Sequence, residues 1–169
     1  DTPFTLDLGV IRDGSLGYID HSTGRVVQLT GIDAEARLSS YDGPLELTLT
    51  AETAGQAVAI EASLAAFRTA YEGGVSPVVL AVQAGAASIN FDGRAGFQPM
   101  VAEGRLEADL ADLTALSALL GMERPALPQG FGARSVTLAG EVTLTGDGTA
   151  HLRGWRIGLE QKPENAKAF

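Results

Sequence analysis

The chain contains no cysteine and only two histidines. The absence of cysteine excludes disulfide bonds, thiolate metal sites and a cysteine nucleophile. His151 lies in a predicted strand. His21 lies in a turn-like run, and we interpret it as a solvated loop residue, with a pH-responsive or ligand-contacting role as the alternative. Neither histidine has a second one at metal-ligand spacing, so the sequence predicts no metal site, no cofactor and no histidine catalysis.

The motifs that carry enzymatic chemistry are also missing. The segments Gly130-Phe131-Gly132 and Gly146-Asp147-Gly148 lack the third glycine and the strand-to-helix context of a dinucleotide fingerprint. No nucleophile elbow or phosphate-binding lysine motif occurs. The 21 acidic residues are scattered, and nothing singles out a catalytic pair. We therefore expect a protein that is not an enzyme and has no catalytic residues.

Basic residues are few, with 12 Lys and Arg against 21 Asp and Glu, which gives a formal net charge of −9. This charge argues against a nucleic-acid partner and against electrostatic docking on an anionic membrane. No run approaches the ~20 apolar residues that a membrane-spanning helix needs. The sequence opens with Asp1-Thr2-Pro3 and no Met, and we interpret it as a processed or excised piece.

What the chain does have is apolar residues at alternate positions. Leu45, Leu47 and Leu49 alternate with Glu46 and Thr48, and the same pattern returns twice further along the chain. Successive side chains of a strand point to opposite faces, so this pattern predicts a sheet with one apolar and one polar face. The predicted strands are 5–12, 16–20, 25–30, 33–39, 44–52, 57–64, 78–84, 87–96, 104–110, 135–144 and 149–159.

Glycine pairs punctuate these runs and predict repeated tight turns, as in an antiparallel meander. The pairs are Asp13-Gly14, Asp42-Gly43, Gly73-Gly74, Asp92-Gly93 and Asp147-Gly148. One segment has helical spacing, with Leu113, Leu116 and Leu120, and predicts a short helix over 112–120. A weaker helical pattern joins Leu64, Phe67 and Tyr71. We expect one β-rich domain over 1–160 and a polar tail or linker over 161–169.

Several segments resemble the AsmA family. Residues 104–121 (GRLEADLADLTALSALLG) and 136–142 (VTLAGEV) are similar to the strand, short leucine helix, loop and strand of that family. Residues 11–20 and 41–45 also resemble phrases of it. The resemblance implies a section of a large envelope-biogenesis protein of Gram-negative bacteria, with a periplasmic β-rich body and an inner-membrane anchor outside this chain.

Relatives in the wider group carry phospholipids along a curved apolar groove, so the resemblance implies phospholipid acyl chains and neighbouring sections of the same polypeptide as partners. We expect a mainly β fold, with a strongly curved antiparallel sheet shaped as a half-barrel or taco and a short helix over 112–120. The candidate groove lining is Leu45, Leu47, Leu49, Val58, Ile60, Leu64, Val78, Leu80, Val82, Leu138, Val142 and Leu144.

Alternation does not distinguish this open groove from a closed core. In the alternative, the same residues pack on one another inside a structural or protein-interaction β domain whose strand edges bind other chains. Trp155 likewise fits either a plug in the core or an exposed residue that stacks on a sugar.

Overall fold

The computed structural model describes residues 6–20, 25–111 and 134–161, and these form one nine-stranded sheet. Each strand pairs antiparallel with the next one along the chain, so the order in the sheet is the order in the sequence. The strands are β1 (Leu6–Asp20), β2 (Arg25–Leu38), β3 (Leu45–Thr53), β4 (Gln56–Leu64), β5 (Ser76–Ala84), β6 (Ala87–Phe97), β7 (Met100–Asp109), β8 (Arg134–Leu144) and β9 (Ala150–Gln161). The prediction of a mainly β antiparallel meander is confirmed, and the sheet is not closed.

Two of the predicted turns are wrong, because they lie inside strands. Asp13-Gly14 belongs to β1, where Asp13 has a φ of 49° and the pairing with β2 shifts register on both sides of Gly14. The predicted strands 5–12 and 16–20 are therefore one bulged strand, and 25–30 and 33–39 are likewise joined in β2. Asp92-Gly93 lies within β6. A glycine inside a long strand marks a bulge or a close backbone approach as readily as a reversal.

The buried residues lie mainly on one face of the sheet. One cluster consists of Val58, Ala84 and Ala87, with Ile60, Ile89 and Leu110 packed against it. A second cluster consists of Leu29, Ile32, Ala34 and Ala51, with Leu49 against it. The buried Thr53 hydroxyl donates a hydrogen bond to the Gln28 carbonyl at 3.0 Å, so its polar group is satisfied.

A single helical turn, α1 (Phe67–Tyr71), packs at the end of the sheet where β4 connects to β5. It confirms the weaker helical prediction at Phe67 and Tyr71, whose rings stack 5.6 Å apart. Leu64, the third residue of that pattern, instead ends β4. Before the helix, the Ala66 amide donates to the Ser76 hydroxyl oxygen at 2.8 Å. Ala70 and Ser76 are almost completely buried, so α1 closes this end of the sheet.

Some predicted elements lie outside the described residues. They are the loop residue His21, the helix over 112–120 and the tail beyond Gln161. Strand β9 includes Gln161, which the sequence placed in the tail.

Candidate functional site

The strand register places all twelve candidate lining residues on one face of the sheet, which we call the apolar face. Directly opposed residues of an antiparallel pair project to the same side. Leu49 opposes Ile60, and Ile60 opposes Val82. These rows of directly opposed residues continue across β6 and β7, where Gly93 opposes Gly104. Gly104 in turn opposes Val142, so the three residues on β8 share the face with those on β3, β4 and β5.

Most of the apolar face is half-exposed. Val58 and Leu64, at opposite ends of β4, are buried to 1% and 4% exposure. The other ten candidate residues are only partly covered. In the part of the chain that the structure describes, no second sheet or long helix lies over them. In the middle of this face, each apolar side chain is therefore covered only by the side chains beside it on the same face.

The candidate set missed several residues of the same face. Ile89 and Phe91 of β6 oppose Val82 and Leu80, and Leu106 of β7 opposes Phe91. Their signal was present in the sequence, because Ala87, Ile89 and Phe91 alternate as the leucines of β3 do. With them the apolar face runs without interruption from β3 to β8.

A glycine pair forms a notch in the middle of this face. A Cβ added to Gly93 would lie 2.2 Å from the Glu103 carbonyl oxygen and 2.7 Å from the Gly104 Cα. A Cβ on Gly104 would meet the Asp92 carbonyl oxygen at 2.4 Å. Only glycine permits this backbone approach, because no Cβ tolerates such separations.

Trp155 lies against the sheet at a bulge between β8 and β9. Its indole covers Gly140, where an added Cβ would meet the Trp155 Cγ at 2.8 Å. The indole Nε1 donates to the Glu141 carbonyl oxygen at 3.2 Å. The side chain stays partly exposed, so Trp155 covers the apolar face near its β9 edge and is not enclosed as a core plug.

The opposite face, which we call the polar face, carries charges that alternate in sign from strand to strand. Asp92 opposes Arg105, Arg105 opposes Glu141, and Glu141 opposes Arg153. Arg105 also pairs with Glu107 on its own strand at 2.7 Å. A shallow depression of about 360 Å³ lies between these side chains, with Arg105, Arg153 and Arg156 around it. Opposite charges on neighbouring strands favour this register over its alternatives.

The side chains with shifted pKa values lie away from the apolar face. Loss of surrounding water raises the pKa of Tyr41, and the Glu72 carboxylate adds to the rise. The Arg68 guanidinium donates hydrogen bonds to the Glu72 and Asp42 carboxylates, and these raise the pKa of Arg68. The Thr145 hydroxyl and the Thr149 amide both donate to Asp147 and lower its pKa. These groups belong to α1 and to connections between strands, so they do not form one reactive cluster.

Over residues 6–20, 25–111 and 134–161, no group of His, Asp and Glu side chains is arranged to hold a metal ion. Among the helices of that same part of the chain, none has the length and apolar character to cross a membrane. No protein-family model, curated protein or solved structure matches this chain. Its function must therefore be inferred from its two sheet faces and the residues on them.

Proposed function

We propose that this domain is a non-enzymatic section of an AsmA-like envelope protein, and that its apolar face holds phospholipid acyl chains. In this proposal the parent protein works in the periplasm, is anchored to the inner membrane, and serves phospholipid transport and outer-membrane assembly. The observation that carries the proposal is the half-exposed middle of the apolar face, which extends from β3 to β8.

The chemistry of this face suits an acyl chain. Across the middle of the sheet its side chains are Leu, Val, Ile, Ala and Phe, and the carboxylates of the same strands lie on the other face. The hydroxyls of Thr53 and Ser76 are on the apolar face, but they are buried at strand ends and hydrogen-bonded. An alkyl chain needs no hydrogen-bond partner, and its transfer from water gains about 0.8 kcal/mol per buried methylene. Contiguous exposed apolar surface on a protein commonly marks a binding site.

A curved sheet, shaped as a half-barrel or taco, would turn this face into a groove. Bulges and glycine kinks are the devices that curve a sheet. Register shifts interrupt the pairing of β1 with β2, of β2 with β3 and of β8 with β9. The Gly93 and Gly104 pair lies between them, where the backbones of β6 and β7 approach closely. These features support curvature on both sides and in the middle of the sheet.

The competing function is a structural or protein-interaction domain with a closed core. The two buried clusters favour a closed core at the end of the sheet opposite α1, because Val58 and Ala84 are fully covered there. The middle of the face favours the groove, because Leu47, Leu80 and Leu106 each keep part of their surface exposed. The resemblance of residues 104–121 and 136–142 to AsmA proteins supports phospholipid as the cargo.

Native mass spectrometry of the protein purified from a Gram-negative host tests the proposal. We expect bound phospholipid in the wild-type protein, identified after extraction. Leu47→Asn places an amide in the middle of the apolar face and should lower the bound lipid strongly. Thr48→Asn makes the same side chain one residue further along, on the polar face, and should leave the lipid content unchanged.

Circular dichroism and the thermal midpoint of each variant accompany the lipid measurement. A folded Leu47→Asn protein without lipid supports the acyl-chain site. Folded wild-type protein that never carries lipid, even after incubation with phospholipid vesicles, contradicts the proposal. Unfolding of Leu47→Asn but not of Thr48→Asn identifies Leu47 as ordinary core and favours the closed domain.

A further inference from the structure

Strand β9 forms one outer edge of the sheet, and no described strand pairs with its outer side. Such an edge presents unpaired backbone amides and carbonyls, which can accept one more strand. Between Ala150 and Gly158 this strand carries two arginines and a histidine but no acidic residue, although the whole chain has a net charge of −9. The β9 edge is therefore locally basic in an acidic protein.

The bulge in β9 determines where these arginines project. Arg153 opposes Glu141 and Arg156 opposes Ala139, so Gly154 and Trp155 together face the single residue Gly140. Gly154 has a φ of 63°, the left-handed conformation that such bulges use. In a regular strand, residues three positions apart lie on opposite faces. The extra residue of the bulge places both Arg153 and Arg156 on the polar face, opposite Glu141 and Ala139.

The charge pattern of the polar face ends on these arginines. From β6 to β9 the row reads Asp92, Arg105, Glu141, Arg153, so the signs alternate at every strand. No described carboxylate lies within 4.0 Å of Arg153 or Arg156, whereas Arg105 has Glu107 at 2.7 Å. A further strand beside β9 would continue the alternation if it placed carboxylates opposite Arg153 and Arg156.

The other face of β9 is apolar and exposed. Leu152 opposes Val142 and Ile157 opposes Leu138, so both belong to the apolar face. Their exposed fractions are 62% and 70%, among the highest of the large hydrophobic residues in the described chain. A strand beside β9 would cover them with its own apolar side chains.

We propose that the β9 edge binds an extended polypeptide segment in which acidic and apolar residues alternate. The backbone would pair with β9, the carboxylates would face Arg153 and Arg156, and the apolar residues would cover Leu152 and Ile157. This inference goes beyond the lipid function and does not depend on it, since it rests on the β9 edge and on side chains of β9, none of which is among the candidate lining residues.

A second copy of this chain is a poorer occupant. Pairing of β9 with another β9 would bring the two pairs of arginines onto the same face beside one another, which is destabilising. The other edge strand, β1, places Val10 and Arg12 on the polar face, and Arg12 already pairs with Glu35 at 2.7 Å. The aspartates of β1 (Asp7, Asp13 and Asp20) lie six or seven positions apart, whereas carboxylates that face both Arg153 and Arg156 must lie two apart, so β1 of a second copy does not match the pair of arginines.

Fluorescence anisotropy with two labelled ten-residue peptides tests the proposal. One peptide alternates valine with glutamate, and the other alternates valine with lysine. We expect the glutamate peptide to bind at least about tenfold more tightly at low ionic strength, and the preference to shrink as salt is added. The double variant Arg153→Gln/Arg156→Gln should lose that preference.

The control is the double variant Arg12→Gln/Arg94→Gln, which removes the same charge from the other edge and from an interior strand. Its affinity for the glutamate peptide should be within about twofold of the wild-type affinity, because neither arginine reaches β9. Amide hydrogen exchange should show new protection over residues 150–158 when the peptide binds. Lipid content should not change in either double variant, so a failure here is distinct from a failure of the lipid proposal.

Three outcomes would overturn the inference. The first is equal binding of the two peptides. The second is peptide binding that leaves the β9 amides unprotected. The third is protection of β9 in peptide-free protein together with a dimer mass by light scattering, because a second copy would then occupy the edge.

Discussion

The same nine strands form the apolar face and the polar face, and the two faces differ in how many hydrophobic side chains each buries. Every buried hydrophobic strand residue whose pairing is described lies on the apolar face, including Val58, Ala84 and Ala108. The polar face carries exposed side chains such as Thr48, Glu61 and Asp92, and its ion pairs are solvent-exposed. Burial of apolar surface is the main favourable term in folding, whereas exposed ion pairs contribute little.

This difference assigns separate roles to the two faces. The apolar face holds the sheet together, and in our proposal its half-exposed middle also binds a ligand, so changes there should affect stability and binding together. Charges on the polar face favour one strand register, and in our proposal Arg153 and Arg156 also bind a segment at the β9 edge. Substitutions of adjacent residues on one strand separate these roles, because neighbours in a strand lie on opposite faces.

The largest expected effect is that of Val58→Asp. Val58 is 1% exposed between Ala51 and Ala84, so its replacement buries a carboxylate without a partner. We expect a loss of about 3–5 kcal/mol in the free energy of unfolding, measured by urea denaturation. Since small domains are stable by only about 5–15 kcal/mol, the variant should be partly unfolded or close to it.

Ala59→Asp is the matched control, one residue further along β4 on the polar face. Its cross-strand neighbours Thr50 and Gln83 are uncharged, and we expect a change of about 1 kcal/mol or less. Equal losses for the two variants would contradict the assignment of burial to one face.

Gly93→Ala has the next largest expected effect. The added methyl group would overlap the Glu103 carbonyl oxygen, so the pair of β6 and β7 must shift apart. We expect a loss of about 1–3 kcal/mol. Gly17→Ala, on the outer strand β1 with no atom within 4 Å of an added Cβ, should be neutral or stabilising by about 0.5 kcal/mol. A harmless Gly93→Ala would show that the close approach is not required.

Alternation was sufficient to predict most strands and the side of the sheet on which their leucines and valines lie, because strand periodicity is local and repeats in every run. It was not sufficient to distinguish turns from bulges. The reversal between β3 and β4 falls in the predicted gap between residues 52 and 57 and uses Ala54 and Gly55 at φ values of 50° and 71°, although none of the glycine pairs marks it. Asp13-Gly14 has the composition of a turn but forms a bulge, because pairing with β2 continues on both sides of it.

The same alternation explains why the candidate lining residues share one face, whereas their role as a groove lining stays a prediction. The twelve residues share a face because their positions keep the alternation, but exposure depends on what packs above them, which no local pattern encodes. Trp155 illustrates a second limit. Its position over Gly140 follows from a bulge that aligns Arg153 with Glu141, and only the pairing of β8 with β9 reveals that register.

Arg105→Glu tests the contribution of the charge alternation on the polar face, where we expect a smaller effect. The substitution removes the 2.7 Å ion pair with Glu107 and places a carboxylate between Asp92 and Glu141. We expect a loss of roughly 0.5–1 kcal/mol at low salt, and less at high salt, because these charges are exposed. Arg105→Lys, which retains the charge, should lose less. A salt-independent loss would mean that packing, not charge, explains the effect.

Asp147→Asn has the smallest expected effect and concerns the turn that joins β8 to the β9 edge. The Thr145 hydroxyl at 2.6 Å and the Thr149 amide at 3.0 Å both donate to Oδ1, and they hold the pKa of Asp147 below its ordinary value of 3.8. A carboxylate with a lowered folded-state pKa stabilises the fold above its unfolded-state pKa, and this contribution is lost as the pH falls through the folded-state value. The wild-type protein should therefore be slightly more stable than Asp147→Asn at neutral pH, and the difference should shrink as the pH falls below 3.8. Thermal midpoints of both proteins across that range measure it, and a difference independent of pH would assign the effect to side-chain shape and not to charge.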